Sequence, residues 1–85
     1  MRSRASERFW RLYHRLPPEI RRLADKNHRL WREDHWHSSL HFKKVRSFWV
    51  ARVGENYRAI GRETEGTVIW FWIGSHAEYE RLIRR

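Results

Sequence analysis

The chain contains no cysteine, and its 85 residues include one methionine, two prolines and four glycines. Without cysteine there is no disulfide, no thiolate nucleophile and no cysteine zinc site. The longest apolar run, residues 68–73, is far shorter than the ~20 residues of a membrane-spanning helix. The basic N-terminus also lacks the apolar stretch of a secretion signal. We therefore expect a soluble, cytoplasmic protein without a membrane segment.

Negative charge is scarce as well, because ten acidic residues are set against nineteen lysines and arginines, for a net charge of +9. Most of the basic residues are arginine, whose planar guanidinium binds phosphate or carboxylate through two hydrogen bonds. This composition favours RNA, DNA or an acidic protein segment as partner. We expect no small-molecule substrate and no cofactor. A solvated basic surface without a partner is the plain alternative.

The length predicts a single domain over residues 1–85 with a small core. Large aromatic side chains partly offset the small size, since the chain has six tryptophans, three tyrosines and four phenylalanines. Their spacing places four of the tryptophans in the core. These are Trp10, Trp31, Trp70 and Trp72.

Two helices are predicted at the start of the chain. Apolar residues at intervals of three and four predict a helix over residues 4–15 with Ser3 as its N-cap. Pro17 ends that helix, and Pro18 suits the first turn of a second helix that runs to Arg32. The two helices should form a hairpin.

The remaining chain is typical of β-structure. Alternation predicts a strand or extended arm over residues 40–45 and a hairpin of residues 48–53 and 57–62. Residues 67–73 read as a strand buried on both faces, and residues 77–84 as a short helix. The sequence thus predicts an α+β fold: an N-terminal helical hairpin packed on a three- to four-stranded antiparallel sheet, with a short C-terminal helix.

Candidate functional residues lie at two places on the predicted sheet. Arg58 and Arg62 alternate with Ile60 and should share the face that the helical hairpin leaves open, as a basic groove. The apolar strand stops at Gly74 and is followed by His76 and Tyr79. A strand end holds such side chains more rigidly than a loop does.

Three segments, residues 40–45, 50–60 and 72–79, resemble the RelE/ParE toxin superfamily. The likeness includes an Arg-Val-Gly and Tyr-Arg signature around the hairpin and a hydrophobic strand that ends in Ile-Gly-Ser-His. The resemblance implies the toxin of a type II toxin–antitoxin pair, with a cognate antitoxin protein as its partner.

The superfamily contains two kinds of toxin. RelE-like members cleave mRNA in the ribosomal A site, and ParE-like members poison DNA gyrase without catalytic residues. The resemblance favours a ribosome-dependent mRNA endoribonuclease, or mRNA interferase, that binds RNA and inhibits translation. A ParE-like gyrase inhibitor and a basic binding module without toxicity remain the alternatives.

The resemblance also implies roles for individual residues. Arg58 would hold the scissile phosphate, His76 would act in acid–base chemistry, and Tyr79 would orient the phosphate or stack a base. The strand lysines of some members are replaced here by Phe48 and Val50. The further candidates for phosphate or RNA binding are Arg52, Lys43, Lys44 and Arg62.

Each of these residues also has a structural interpretation. His76 could cap the following helix or form a hydrogen bond with it, Tyr79 could pack on the sheet, and the adjacent lysines could form a solvated strand edge. Arg58 could pair with Glu63 or Glu65.

The link between the second helix and the first predicted strand is rich in histidine. His35, His37 and His41 raise a metal interpretation, but the sequence supplies no fourth anchored ligand, so no metal is expected. Trp36 is the least constrained tryptophan. It could stack a base, enter an antitoxin interface or anchor the loop.

Overall fold

The computed structural model describes residues 1–84, which form a five-stranded sheet and three α-helices. In chain order the elements are β1 (Arg2–Ala5), α1 (Glu7–His14), α2 (Pro18–Glu33), a 3₁₀ turn (Ser38–Leu40), β2 (Lys43–Val45), β3 (Phe48–Val53), β4 (Tyr57–Thr64), β5 (Thr67–Ser75) and α3 (His76–Ile83). The strand order is β1-β5-β4-β3-β2, with β1 parallel to β5 and the other pairs antiparallel. The predicted α+β class is confirmed, with one or two more strands than expected. Among the described residues, no helix is long and apolar enough to cross a membrane.

The N-terminus differs from the prediction, because residues 2–5 form a strand instead of the first turn of α1. β1 pairs with β5 from Arg2 opposite Thr67 onward. Ser6, not Ser3, is the N-cap of α1, and its hydroxyl accepts a hydrogen bond from the Phe9 N–H at 3.2 Å. The strand prevails because it gives the free backbone edge of β5 its hydrogen-bond partners, whereas α1 is capped equally well three residues later.

The region before β3 is also less extended than predicted. The predicted strand over residues 40–45 shrinks to Lys43–Val45, since Leu40 ends a 3₁₀ turn and His41 has a left-handed φ of 44°. Leu40 and Phe42 are buried. Burying these two side chains bends the chain away from the sheet edge.

The larger core lies between the sheet and the helices α1 and α2. Trp31 is only 2% exposed and packs edge-on against Phe42 and Trp70, with ring centroids 5.6 and 5.8 Å apart. Val68 on β5 is fully buried beside them. Trp10, predicted in the core, is instead 46% exposed on α1. Three of the four tryptophans that were assigned to the core are therefore buried.

A β-bulge in β5 explains how one apolar run fills both sides of the sheet. Ile60 pairs with Trp72 and the next residue, Gly61, pairs with Trp70, so Phe71 has no partner on β4. The extra residue turns Trp70 toward the helices and Trp72 toward the opposite face. β5 is thus buried on both faces, as predicted.

The second face of the sheet is partly covered by α3, where an open groove was expected. Val50, Ile60, Trp72 and Tyr79 form a smaller cluster beneath this helix. The helix is fixed by a capping box between its N-cap, Ser75, and Glu78. Only the part of this face beyond α3 remains accessible.

Candidate functional site

Two arginines stand directly opposite each other on this second face. Arg52 on β3 pairs with Arg58 on β4, and both alternate with residues of the α3 cluster, Val50 and Ile60. Like charges at opposed positions destabilise a sheet, so the pair is not explained by stability. Burial, and then the charge of Arg52, hold the pKa of Arg58 below its usual value. The guanidinium still stays charged at neutral pH.

The position of Arg58 is set by the β3–β4 loop. Its Nη1 donates to three backbone carbonyls, those of Gly54 (3.3 Å), Glu55 (3.1 Å) and Tyr57 (2.8 Å). Glu63, considered as an ion-pair partner, instead accepts a hydrogen bond from Trp49 at 3.0 Å. Within residues 1–84 neither Arg52 nor Arg58 is ion-paired with a carboxylate. The two charges are therefore held by neutral groups and can attract an anion.

His41 adjoins the arginine pair, although its sequence context had suggested only a metal ligand. β2 and β3 are antiparallel and Lys43 pairs with Val50. His41, two residues before Lys43, therefore lies beside Arg52, two residues after Val50. Its Nε2 lies 3.4 Å from the Arg52 Nη1. A guanidinium only donates, so this nitrogen accepts and Nδ1 carries the imidazole proton. The two-residue spacing of His41 and Lys43, which places them on one face of an extended segment, was the sequence signal that could have predicted this contact.

His76 and Tyr79 occupy the first turn of α3. The His76 N–H donates to the Asn56 carbonyl at 2.7 Å, which ties the helix to the β3–β4 loop. Its Nε2 lies 3.1 Å from Glu80 Oε1, and its ring is 6.1 Å from that of Tyr79. Ser75 is the N-cap, so His76 does not cap the helix, but its contact with Glu80 agrees with the structural interpretation of a hydrogen bond with that helix. With Nε2 donating to Glu80, Nδ1 of the neutral ring is left to accept a proton.

Tyr79 packs in the cluster beneath α3 and also interacts electrostatically with Arg58. It is 8% exposed and belongs to the cluster beneath α3, as its structural interpretation predicted. Burial, and then the charge of Glu80, raise the pKa of Tyr79, while Arg58 lowers it. The net shift is upward, so the phenol keeps its proton at neutral pH and acts as a donor.

The two lysines lie on opposite faces of the sheet. Lys43 opposes Val50 and so shares the face of the arginine pair, one row further along. The Lys44 ammonium lies 5.3 Å from the ring centroid of Trp49, on the side of α1 and α2. Of the two lysines, Lys43 is therefore the one on the face of the arginine pair.

Arg62 shares the face but not the location. It lies four residues beyond Arg58 on β4, about 13 Å along the strand. Its guanidinium is 5.8 Å from the ring centroid of Phe71, the bulged residue. The structure therefore does not bring Arg62 into the group formed by Arg52, Arg58 and Tyr79.

The histidine-rich link does not assemble a metal site in the part of the chain that the structure describes, where no three acidic or histidine side chains converge. His41 faces Arg52. The Nδ1 of His37 accepts the Ser39 N–H at 3.2 Å. Both rings are therefore engaged locally.

Comparison with known proteins identifies the class. The model of the ParE-like toxin domain family matches residues 18–81, so the chain belongs to this family. The protein is a toxin of the RelE/ParE type, the class of toxin found in toxin–antitoxin systems. A search of curated protein sequences found no match.

Solved structures share the fold. The RelB–RelE antitoxin–toxin complex from Methanococcus jannaschii matches with a TM-score of 0.73 at 17% identity, over 93% of this chain and 96% of the other. The toxin–antitoxin complex RelBE2 from Mycobacterium tuberculosis matches with a TM-score of 0.65 at 21% identity, over 88% and 96%. The YoeB/ParE toxin from Agrobacterium tumefaciens matches with a TM-score of 0.68 at 13% identity, over 89% and 99%.

Proposed function

We propose that this toxin is a ribosome-dependent mRNA endoribonuclease that inhibits translation. The observation that carries the proposal is the arginine pair Arg52–Arg58, with which no carboxylate of residues 1–84 forms an ion pair. A protonated phenol, Tyr79, and an imidazole, His76, lie on the helix that packs beside it. Cations next to a proton donor and a proton acceptor are the groups that phosphodiester cleavage requires.

In the proposed reaction a ribose 2′-oxygen attacks the adjacent phosphorus and the bond to the 5′-oxygen breaks. His76 Nδ1 accepts the proton from the 2′-hydroxyl. Arg58 and Arg52 stabilise the negative charge that develops on the phosphate oxygens. Tyr79 donates its proton to the departing 5′-oxygen, and solvent then carries the proton from His76 back to Tyr79. The products are a 2′,3′-cyclic phosphate and a free 5′-hydroxyl, so no water or cofactor is consumed.

The proposed partner is a cognate antitoxin with an acidic or amphipathic segment. The Methanococcus and Mycobacterium relatives were solved as toxin–antitoxin complexes. A net charge of +9 and an arginine pair without an ion-paired carboxylate among residues 1–84 favour an acidic segment that covers this face. The affinity of such a complex should fall as salt concentration rises.

The sharpest test compares Arg58→Ala with Arg62→Ala, since both arginines lie on β4 and on the same face. In a reconstituted translation reaction, Arg58→Ala should lower mRNA cleavage by about 10²- to 10³-fold, because a phosphate-stabilising cation is lost. Arg62→Ala should cleave within a few-fold of the wild type. Thermal unfolding of both variants establishes that they fold.

Full cleavage by a folded Arg58→Ala variant, or intact mRNA with the wild-type toxin, would contradict the proposal. A gyrase inhibitor is the second candidate, because the matching family is ParE-like and Phe48 and Val50 stand where some ribonuclease members have lysines. A supercoiling assay decides between the two. Inhibition of gyrase with intact mRNA would establish the second, and absence of both effects would indicate a binding module without toxicity.

A further inference from the structure

The link between α2 and β2 contains an exposed tryptophan. Trp36 is 58% exposed. Its ring centroid lies 4.8 Å from that of His35, 5.4 Å from Phe42 and 5.9 Å from Trp49. Its backbone N–H donates to the Asp34 carboxylate at 3.1 Å. We call Trp36, with the three rings that support it, the Trp36 platform.

One cation and two carboxylates lie beside the platform. The Lys44 ammonium lies over the ring of Trp49, which is itself next to Trp36. The two carboxylates that contact the platform are engaged by its own donors, Asp34 by the Trp36 N–H and Glu63 by the Trp49 indole. Both carboxylates keep their negative charge, so the attraction of a polyanion to this region comes from the net charge of +9 of the whole chain, with Lys44 as the cation nearest the platform rings.

The same link leads from the platform to the arginine pair. His41 ends this link, and its ring lies 3.4 Å from the Arg52 guanidinium. Arg52 in turn opposes Arg58. The link thus runs from Trp36, whose ring lies against Phe42 and Trp49 of the helix-side core, to His41, which lies beside the arginine pair of the other face.

We propose that the Trp36 platform stacks an unpaired base of single-stranded RNA whose backbone continues past His41 to Arg52 and Arg58. Aromatic stacking accepts any base, while the cations neutralise the phosphates on either side. This inference rests on the proposed function for the identity of the ligand and adds a second contact to it. An apolar protein residue could also cover Trp36, but it would leave the basic path along His41 and Arg52 unexplained.

The test measures fluorescence anisotropy of a short labelled oligoadenylate RNA with the full-length toxin. Trp36→Ala should weaken binding about 10- to 100-fold, and Trp36→Phe should restore most of the affinity. Trp10→Ala is the matched control, because Trp10 is the other strongly exposed tryptophan among the described residues and lies on α1. It should bind as the wild type does.

Two further measurements separate stacking from charge. Trp36→Ala should leave the salt dependence of binding unchanged, whereas Arg52→Ala should reduce the slope of log affinity against log salt by about 0.7. An abasic oligomer with the same number of phosphates should bind the wild type and Trp36→Ala equally. Thermal unfolding of each variant accompanies the titrations.

Equal RNA affinity of folded Trp36→Ala and wild type would overturn the proposal and leave a protein as the occupant of the platform. Absence of RNA binding by the wild type, or an equal loss in Trp10→Ala, would overturn it as well. Loss of RNA affinity in Trp36→Ala would support the platform even if the wild-type toxin left mRNA intact in the translation assay. That second result would refute the ribonuclease alone. Normal cleavage with unchanged RNA affinity in Trp36→Ala would refute the platform alone.

Discussion

The two faces of the sheet differ in what their residues contribute. The face toward α1 and α2 carries the larger core, in which Trp31 and Trp70 pack edge to face. The face toward α3 has a smaller cluster and, beyond it, Arg52 opposite Arg58. Neighbouring residues of one strand therefore have different roles, since Ala51 on β3 is buried toward the helices while Arg52 faces the candidate site. Because successive side chains of a strand point to opposite faces, the larger core and the charged candidate site lie on opposite sides of the sheet.

The largest expected effect concerns the helix-side core. Trp31→Ala removes the most central aromatic ring, which is 2% exposed, and should lower the free energy of unfolding by about 3–5 kcal/mol. Trp10→Ala should cost clearly less, because nearly half of that side chain is already in water. Chemical denaturation measures both. Equal losses of unfolding free energy would mean that Trp31 stabilises the protein no more than the exposed Trp10 does, which would contradict a core centred on Trp31.

A second prediction compares glycines on the two faces. A Cβ added at Gly74 would lie 2.6 Å from Trp72 beneath α3, and one added at Gly61 would lie 2.7 Å from Val68 in the helix-side core. Both Gly→Ala changes should destabilise by about 1–3 kcal/mol through overpacking.

Only Gly74→Ala should also impair mRNA cleavage by the folded protein, because Gly74 pairs with Arg58 and adjoins the start of α3. Cleavage rates at a temperature where both variants are fully folded provide the measurement. Equal losses of cleavage in the two variants would remove the functional distinction between the faces.

The smallest effect is a pH dependence of stability on the helix side. The His28 ring stacks on Trp31, and its Nε2 is 2.9 Å from Ser3 Oγ. Burial, and then the charge of Arg32, lower the pKa of His28. The unfolded chain therefore takes up this proton first, so stability should fall as pH drops below ~6.5 and through the lowered pKa. Thermal midpoints between neutral and mildly acidic pH record the loss.

His28→Gln should flatten that part of the pH profile, while His14→Gln, on α1, should leave it as in the wild type. Identical profiles for wild type and His28→Gln would show that protonation of His28 is not linked to unfolding.

Much of the fold could be predicted because its signals are local. Pro17 and Pro18 separate the two helices through backbone sterics alone. The loop over residues 54–56 contains Gly54, which has a φ of 67°, and it joins β3 to β4 as expected. The position of Arg52 across this hairpin from Arg58 follows from the loop. The arginine pair of the candidate site was therefore within reach of the sequence.

The features that were missed depend on distant partners. β1 has four residues without apolar alternation, and only the edge of β5 gives it a reason to extend. The approach of His41 to Arg52 requires the pairing of β2 with β3 and a left-handed turn at His41. The bulge at Phe71 is hidden because every neighbour in the run is apolar, so the change of face leaves no mark on the pattern.

The pairing of β1 with β5 has a consequence for the order of events during synthesis. Arg2 leaves the ribosome long before Thr67, the residue opposite which it finally lies. Until then β1 has no partner, and β5 lacks a neighbour on that side. β1 is made before the other four strands of the sheet and is thus among the last of them to be ordered, because the sheet is completed only after β5 has emerged.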